Sequence, residues 1–216
     1  MSPALSRKEK QAKTRSALLR SAGKLICRKG ITEASVEDVA TDAGYTKGAF
    51  YANFKSKEEM FLVMLDERYA AELERIEASL PGEGMPVEEI RASAEDFMRF
   101  AWADSEWPKL YFEFTTYAAR NPEFRDELAT RNQAMRDRIA EIIRHWAADL
   151  PAEPPLPFED IARMLHWMVD GFMIARLVEP ALDEELYSTM VTTFFMGLAA
   201  SAIGLDMAQL AVAPAR

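Results

Sequence analysis

The amino-acid sequence predicts an all-α protein of about nine helices, in which a small N-terminal three-helix domain precedes a larger helical domain. Apolar residues recur at helical spacing along the chain, and the body shows no strand-like alternation. Prolines and glycines interrupt the pattern between the helical segments. With 216 residues, 49% of them hydrophobic, the chain is long enough to form a small domain and a larger one.

The first helix is predicted over residues 7–29, with Gly30 as its end. Its apolar face carries Leu18, Ala22, Leu25 and Ile26 at helical spacing.

The segment from Ser35 to residue 57 predicts two short helices, a tight turn and the start of a third helix. Ser35 can cap the first of these helices together with Asp38, in a capping box that uses Asp in place of Glu. Gly44 ends it, because glycine adopts the left-handed conformation without steric cost, and Thr46 is the next N-cap. The predicted buried face of this helix consists of Val36, Val39, Ala40 and Ala43.

The second short helix is predicted over residues 47–53 and is too short to be stable alone. Packing must hold it, through Phe50 and Phe54, which lie one turn apart. Two short helices joined by a glycine-containing turn form a helix-turn-helix, whose second helix enters the DNA major groove. Hydroxyl, ammonium, phenol and amide groups remain outward on Thr46, Lys47, Tyr51 and Asn53. A surface turn between core helices is the alternative, and the motif by itself leaves it open.

The pattern from residue 13 to residue 59 resembles the N-terminal domain of TetR-family transcriptional regulators. It includes Gly30-Ile31, Val36, Val39-Ala40, the run Ala43-Gly44-Tyr45-Thr46-Lys47-Gly48-Ala49-Phe50-Tyr51, and Phe54-Lys55-Ser56-Lys57-Glu58-Glu59. The resemblance covers residues 12–72 and implies a DNA-binding domain there, with a ligand-binding and dimerisation domain over 73–216. It implies DNA contacts for Ser35, Tyr45, Thr46, Lys47, Gly48, Ala49, Tyr51, Asn53 and Lys57. Ala52 departs from the family, which often carries a larger side chain at this position.

Charge is distributed unevenly along the chain. Residues 1–57 carry a net charge of +7 and the remainder −16, which gives −9 in total. A basic head on an acidic body is the electrostatic signature of a DNA-binding protein. Lys8, Lys10, Lys13 and Arg15 precede the packed part of the first helix. They fit an arm that reaches the DNA or a solvated tail about equally well.

Helices are predicted for the rest of the chain over 57–80, 86–105, 108–120, 122–149, 157–179 and 183–204. A capping box of Ser56 and Glu59 begins the first of them. It ends at the Pro81–Gly84 segment, and its place in the chain links the two predicted domains. Later breaks coincide with Pro86, Trp107-Pro108, Asn121-Pro122 and the segment between Pro151 and Pro157.

Residues 97–117 hold more aromatic side chains than one helix face requires. The set predicts a pocket for a small, largely apolar or aromatic ligand, whereas core and dimer surface are the alternative for each side chain alone. The candidate pocket residues are Phe97, Trp102, Trp107, Tyr111, Phe114, Tyr117, Met164, His166, Trp167 and Asp170. His166 and Asp170 are four residues apart, so a mutual hydrogen bond competes with a ligand contact.

The last two long helices are apolar nearly all round, and residues 186–205 form an uncharged run of twenty. A membrane span is disfavoured by the Ser and Thr residues of this run and by its acidic flanks. A four-helix interface between the last two helices of two subunits buries such faces in a homodimer. The dimer predicts a palindromic operator with half-sites about one DNA turn apart.

Catalytic and metal-binding patterns are not found in the sequence, which has two histidines and one cysteine. We therefore expect neither enzymatic activity nor a cofactor. A single cysteine excludes an internal disulfide, and no apolar signal segment follows the N-terminus, so a cytoplasmic location is expected.

The sequence therefore predicts a ligand-responsive DNA-binding regulator, most simply a repressor. A non-specific architectural DNA binder and an α-helical enzyme or lipid-binding module are the alternatives.

Overall fold

The computed structural model describes residues 6–79, 87–149 and 153–202. Within these ranges the chain is all-helical, as the sequence predicts, and no β-strand occurs. The described α-helices are α1 (Arg7–Lys29), α2 (Val36–Asp42), α3 (Lys47–Tyr51), α4 (Lys57–Ala78), α5 (Val87–Ala103), α6 (Trp107–Ala118), α7 (Pro122–Trp146), α8 (Phe158–Val178) and α9 (Glu184–Ala202). A single 3-10 turn over Ala147–Asp149 follows α7.

Local capping signals account for the starts of the first helices. Ser6 caps α1, and Gly30, with φ of 82°, ends it. Ser35 and Asp38 form the predicted capping box of α2, and the Thr46 side chain accepts from the third residue of α3. The predicted Lys8, Lys10 and Lys13 segment belongs to α1 and is exposed.

Three predicted details differ in the structure. Helix α3 ends at Tyr51 rather than at residue 53, because the next two residues close a tighter turn in which Asn53 N donates to Phe50 O at 2.9 Å. The predicted 122–149 helix ends at Trp146 and tightens into the 3-10 turn. The capping box at α4 is half formed, since Ser56 Oγ accepts from Glu59 N at 3.1 Å while the Glu59 carboxylate accepts from Lys55 N.

The chain divides into two compact units. The first contains the described residues from Ser6 to Tyr69 together with Ser105–Arg131, and α6 packs with the N-terminal helices. Its core is built from Leu18, Ile26, Ile31, Val39, Phe50, Phe54, Phe61 and Phe114. Val36, which the sequence also placed in this core, is half-buried.

The second unit contains the described residues of Ala70–Asp104 and those from Asn132 to Ala202. Its centre is the packing of α5 against α9, with Met98, Ile161, Ala162 and Ser188 fully buried. None of the described helices is long and apolar enough to cross a membrane. The predicted breaks at Pro81–Gly84, Pro86 and Pro151, and residues 203–205 of the apolar run, lie outside the described residues.

Candidate DNA-binding and effector-binding sites

The start of α2 is fixed by a charged hydrogen-bond cluster. Asp38 Oδ2 accepts from Lys29 Nζ at 2.7 Å and from Ser35 Oγ at 2.6 Å. The hydrogen bond from Lys29, followed by those from Ser35, lowers the pKa of Asp38 to about 2. The cluster ties the last turn of α1 to the first turn of α2.

The turn between α2 and α3 has the conformation that its glycine permits. Gly44 has φ of 77°, and Tyr45 N donates to Ala40 O at 2.8 Å. Thr46 Oγ1 then accepts from Ala49 N at 3.2 Å and starts α3. Left-handed backbone at this position is costly for any residue with a β-carbon, which explains the glycine.

Packing holds the five-residue helix α3, because a helix of this length has little stability of its own. Phe50 is fully buried, and its ring centroid lies 5.5 Å from that of Phe54. Arg15 of α1 stacks on Phe54, with 4.6 Å from Cζ to the ring centroid, and its Nη1 donates to Asn53 O at 3.1 Å. Arg15, which the sequence placed with the basic arm or tail, thus holds the end of α3.

The predicted DNA contacts fall into two groups in the structure. Exposed are Ser35, Thr46, Lys47, Gly48 and Tyr51, while Tyr45 and Ala49 are half-buried. Lys47 and Tyr51 lie four residues apart and therefore share one face of α3.

Asn53 and Lys57 form hydrogen bonds within the protein. Asn53 Nδ2 donates to Ala49 O at 2.8 Å. Lys57 Nζ lies 3.4 Å from both Ile31 O and Thr32 O and donates to them. Their predicted contacts with DNA would require these groups to exchange partners.

The candidate pocket residues of α6 pack inside the first unit. Phe114 is fully buried and stacks on Phe61 with 5.8 Å between ring centroids, while Trp107 and Tyr111 are also buried. Tyr117 Oη donates to Glu58 Oε1 at 2.9 Å and accepts from Asn121 Nδ2 at 3.1 Å. Burial, and then the neighbouring Glu58, raises the pKa of Tyr117.

The candidate residues of α5 lie in the second unit. Phe97 is buried, and Trp102 stacks on Phe172 with 5.7 Å between ring centroids. The Arg176 guanidinium lies over the Trp102 ring, with 3.7 Å from Cζ to the ring centroid.

The candidate residues of α8 differ in exposure. Met164 and Trp167 are exposed, Trp167 to 60%, whereas His166 is buried. His166 Nε2 lies 3.5 Å from Asp170 Oδ2, as the spacing predicts for neighbours on one helix. Burial, and secondarily the positive charge of Arg136, lowers the pKa of His166 to about 4. The imidazole is therefore neutral at pH 7.

His166 predicts a loss of stability in mild acid. Its pKa of about 4 in the folded protein lies below the ordinary value near 6.5, so the unfolded chain binds the proton first as the pH falls. We expect His166 to remove about 3 kcal/mol from the free energy of unfolding between pH 7 and pH 4. Urea unfolding at several pH values measures this loss.

His166→Gln removes the titrating group. Between pH 7 and pH 4 the free energy of unfolding of this variant should therefore fall by about 3 kcal/mol less than that of the wild type. His145→Gln, at the exposed second histidine, should retain the wild-type pH dependence. Parallel pH profiles of wild type and His166→Gln would contradict the prediction.

Hydrogen bonds between residues far apart in the chain could not be predicted from the sequence. Arg15 and its acceptor are separated by 38 residues, and Ile31 and Glu113 by 82, so no local spacing indicates either pair. Across the described ranges, no cluster of three or more His, Cys, Asp or Glu residues is arranged to hold a metal ion.

Two family models match the chain. The model described as "Bacterial regulatory proteins, tetR family" matches residues 18–64. The model described as "BetI-type transcriptional repressor, C-terminal" matches residues 86–200, just over half of the chain.

Similar proteins agree with both matches. The HTH-type transcriptional regulator AcrR of Shigella flexneri is 31% identical over 190 residues, which cover 82% of this chain and 85% of the relative. The HTH-type nicotine-responsive transcriptional repressor HdnoR of Paenarthrobacter nicotinovorans is 26% identical over 172 residues, covering 77% and 85%. The structure of FadR from Bacillus subtilis in complex with stearoyl-CoA shares the fold, with a TM-score of 0.69, 17% identity, and coverage of 82% and 95%. The resemblance seen in the sequence is thereby confirmed, and the chain belongs to the TetR family of DNA-binding transcriptional regulators, which are not enzymes.

Proposed function

We propose that this regulator is a repressor that binds a palindromic operator as a homodimer and is released by a small, largely apolar or aromatic effector. In this proposal residues 12–72 form the DNA-binding domain and residues 73–216 the ligand-binding and dimerisation domain. The observation that carries it is α3, on which Lys47 and Tyr51 are exposed while Phe50 is buried. A short helix anchored on one side and polar on the other is suited to the major groove.

The proposed DNA contacts are Ser35, Tyr45, Thr46, Lys47, Gly48, Ala49, Tyr51, Asn53 and Lys57. The exposed hydroxyl and ammonium groups of Thr46 and Lys47 are donors for base edges or phosphate oxygens. Gly48, without a side chain, lets the helix backbone approach the DNA closely.

Exposed apolar side chains on α8 and α9 support the homodimer. They are Met164, Trp167 and Val178 on α8 and Leu186, Met190 and Met196 on α9. Gly171 and Gly197, on the same two helices, have open space where a β-carbon would lie. A twofold interface that pairs these helices with those of a second copy removes this apolar surface from water.

The proposed effector contacts are Phe97, Trp102, Trp107, Tyr111, Phe114, Tyr117, Met164, His166, Trp167 and Asp170. The nicotine-responsive HdnoR and the stearoyl-CoA complex of FadR support an effector with aromatic or apolar parts. Such an effector lowers DNA affinity by binding more tightly to the conformation that does not fit the operator.

Selection of duplexes from a random library, followed by fluorescence anisotropy at two salt concentrations, tests the operator proposal. We expect one selected duplex to bind more tightly than a scrambled duplex, with two subunits per site and half-sites about 34–36 Å apart or a multiple of that spacing. Equal and steeply salt-dependent binding to both duplexes would support the architectural alternative instead.

Lys47→Ala and Tyr51→Ala are each expected to weaken binding to the selected duplex about tenfold or more, because each removes a polar contact at the recognition helix. Far-UV circular dichroism should remain unchanged, since both side chains are exposed. Lys109→Ala, an equal charge change on α6, is the matched control and should bind normally. Normal affinity in both α3 variants would contradict the recognition helix.

A further inference from the structure

The turn between α1 and α2 is held by side chains of two later helices. Ile31 N donates to Glu113 Oε2 of α6 at 3.0 Å. Lys57 Nζ, at the start of α4, donates to Ile31 O and Thr32 O, each at 3.4 Å. A carboxylate therefore holds the N–H of Ile31 while an ammonium holds its carbonyl.

The backbone of this turn leaves room for the carboxylate. Gly30 has φ of 82°, and a β-carbon at this position would lie 3.2 Å from Glu113 Oε2. Any larger residue would therefore strain the backbone and press on the Glu113 carboxylate. Ile31 is only 2% exposed, so its N–H needs a partner within the protein.

The same turn leads directly into the DNA-binding helices. Ala34 N donates to Gly30 O at 3.2 Å, and Ser35 then caps α2. Helix α2 packs on α3, so a displacement of the turn changes how α3 is presented. A second tie of α6 to α4, between Tyr117 and Glu58, restrains α6 beside this turn.

We propose that Glu113 is a positioning residue for operator binding, which fixes the α1–α2 turn through the Ile31 N–H and hence the placement of α2 and α3. Glu113 lies on α6, outside residues 12–72, and it carries a charge that would repel DNA phosphates. By positioning α2 and α3, Glu113 raises the affinity for DNA, whereas its negative charge by itself lowers that affinity. The inference rests on the proposed operator binding.

Two conservative variants separate geometry from charge. Glu113→Asp keeps the charge but withdraws the carboxylate from Ile31 by one methylene. Glu113→Gln keeps an acceptor oxygen at full length but removes the charge. Positioning predicts about five- to tenfold weaker binding to the selected duplex for Glu113→Asp, and binding within about threefold of wild type for Glu113→Gln.

The salt dependence of binding should stay at the wild-type slope in both variants, since neither removes a phosphate contact. If Glu113 affected binding only through its negative charge, the pattern would be reversed. Glu113→Asp would then bind DNA with the wild-type affinity, and Glu113→Gln would bind it more tightly. That reverse pattern, or wild-type affinity in Glu113→Asp, would overturn the proposal. Glu123→Asp and Glu123→Gln, at an exposed glutamate of α7, are the matched controls and should bind as wild type.

Amide hydrogen exchange gives a readout that does not involve DNA. The Ile31 amide should exchange about tenfold faster in Glu113→Asp and close to the wild-type rate in Glu113→Gln. An unchanged Ile31 rate in Glu113→Asp would also overturn the proposal. If the wild-type chain and the Glu123 controls select no duplex, the proposed function itself fails; if they bind and only the Glu113 pattern is absent, only this inference fails.

Discussion

Phe50→Ala is expected to unfold the DNA-binding helices and abolish operator binding. Phe50 is fully buried and contacts the rings of Tyr51 and Phe54, so truncation leaves a cavity beneath a helix of only five residues. Truncation of a buried phenylalanine costs about 3–5 kcal/mol, and α3 has no other large buried side chain. Urea unfolding, together with amide exchange of α2 and α3, measures the loss.

Phe112→Ala is the matched control, because Phe112 lies on α6 in the same compact unit and is exposed to 46%. The same chemical change there should cost less than about 1 kcal/mol and leave DNA binding intact. Similar losses in the two variants would show that Phe50 has no special role in holding α3.

Trp167→Glu is expected to convert the proposed dimer into monomers and to weaken operator binding by about two to four orders of magnitude. The Trp167 ring is 60% exposed in the single chain, where a large aromatic residue is a typical anchor of an interface. A buried unpaired carboxylate would oppose association, and a monomer loses the simultaneous binding of two half-sites. Sedimentation equilibrium measures the mass, and anisotropy the affinity.

Trp167→Phe retains an apolar ring and should remain dimeric. If Trp167→Glu remained dimeric, Trp167 would not lie in the dimer interface, and the proposed interface would be wrong. A monomeric variant that binds the operator normally would instead contradict the requirement for two subunits.

Local signals in the sequence were sufficient for most of the fold. Ser35, Gly44 and Thr46 each determine a helix end through their own side chain or backbone freedom, so the boundaries of α2 and the start of α3 follow from neighbouring residues. The end of α3 was less predictable, because Ala52 and Asn53 have no strong stop signal and the turn depends on how Phe50 and Phe54 pack.

The candidate sites were less predictable because they depend on distant pairs. Lys57 matches a family position for phosphate contact, yet in the free protein its ammonium donates to the α1–α2 turn. The sequence itself showed that residues 97–117 are rich in aromatic side chains. It did not indicate that Phe114 packs on Phe61 or that α6 belongs with the N-terminal helices.

The packing of α6 with the N-terminal helices determines which residues have to be transferred together when a hybrid biosensor is built from this protein. A hybrid that joins its first 72 residues to a foreign sensor domain separates Ile31 from Glu113 and Glu58 from Tyr117. The backbone N–H of a buried residue then has to find another acceptor in the foreign domain. A transplant that also carries residues 105–131, or a recipient whose corresponding helix offers a carboxylate at the turn, keeps this part of the module intact.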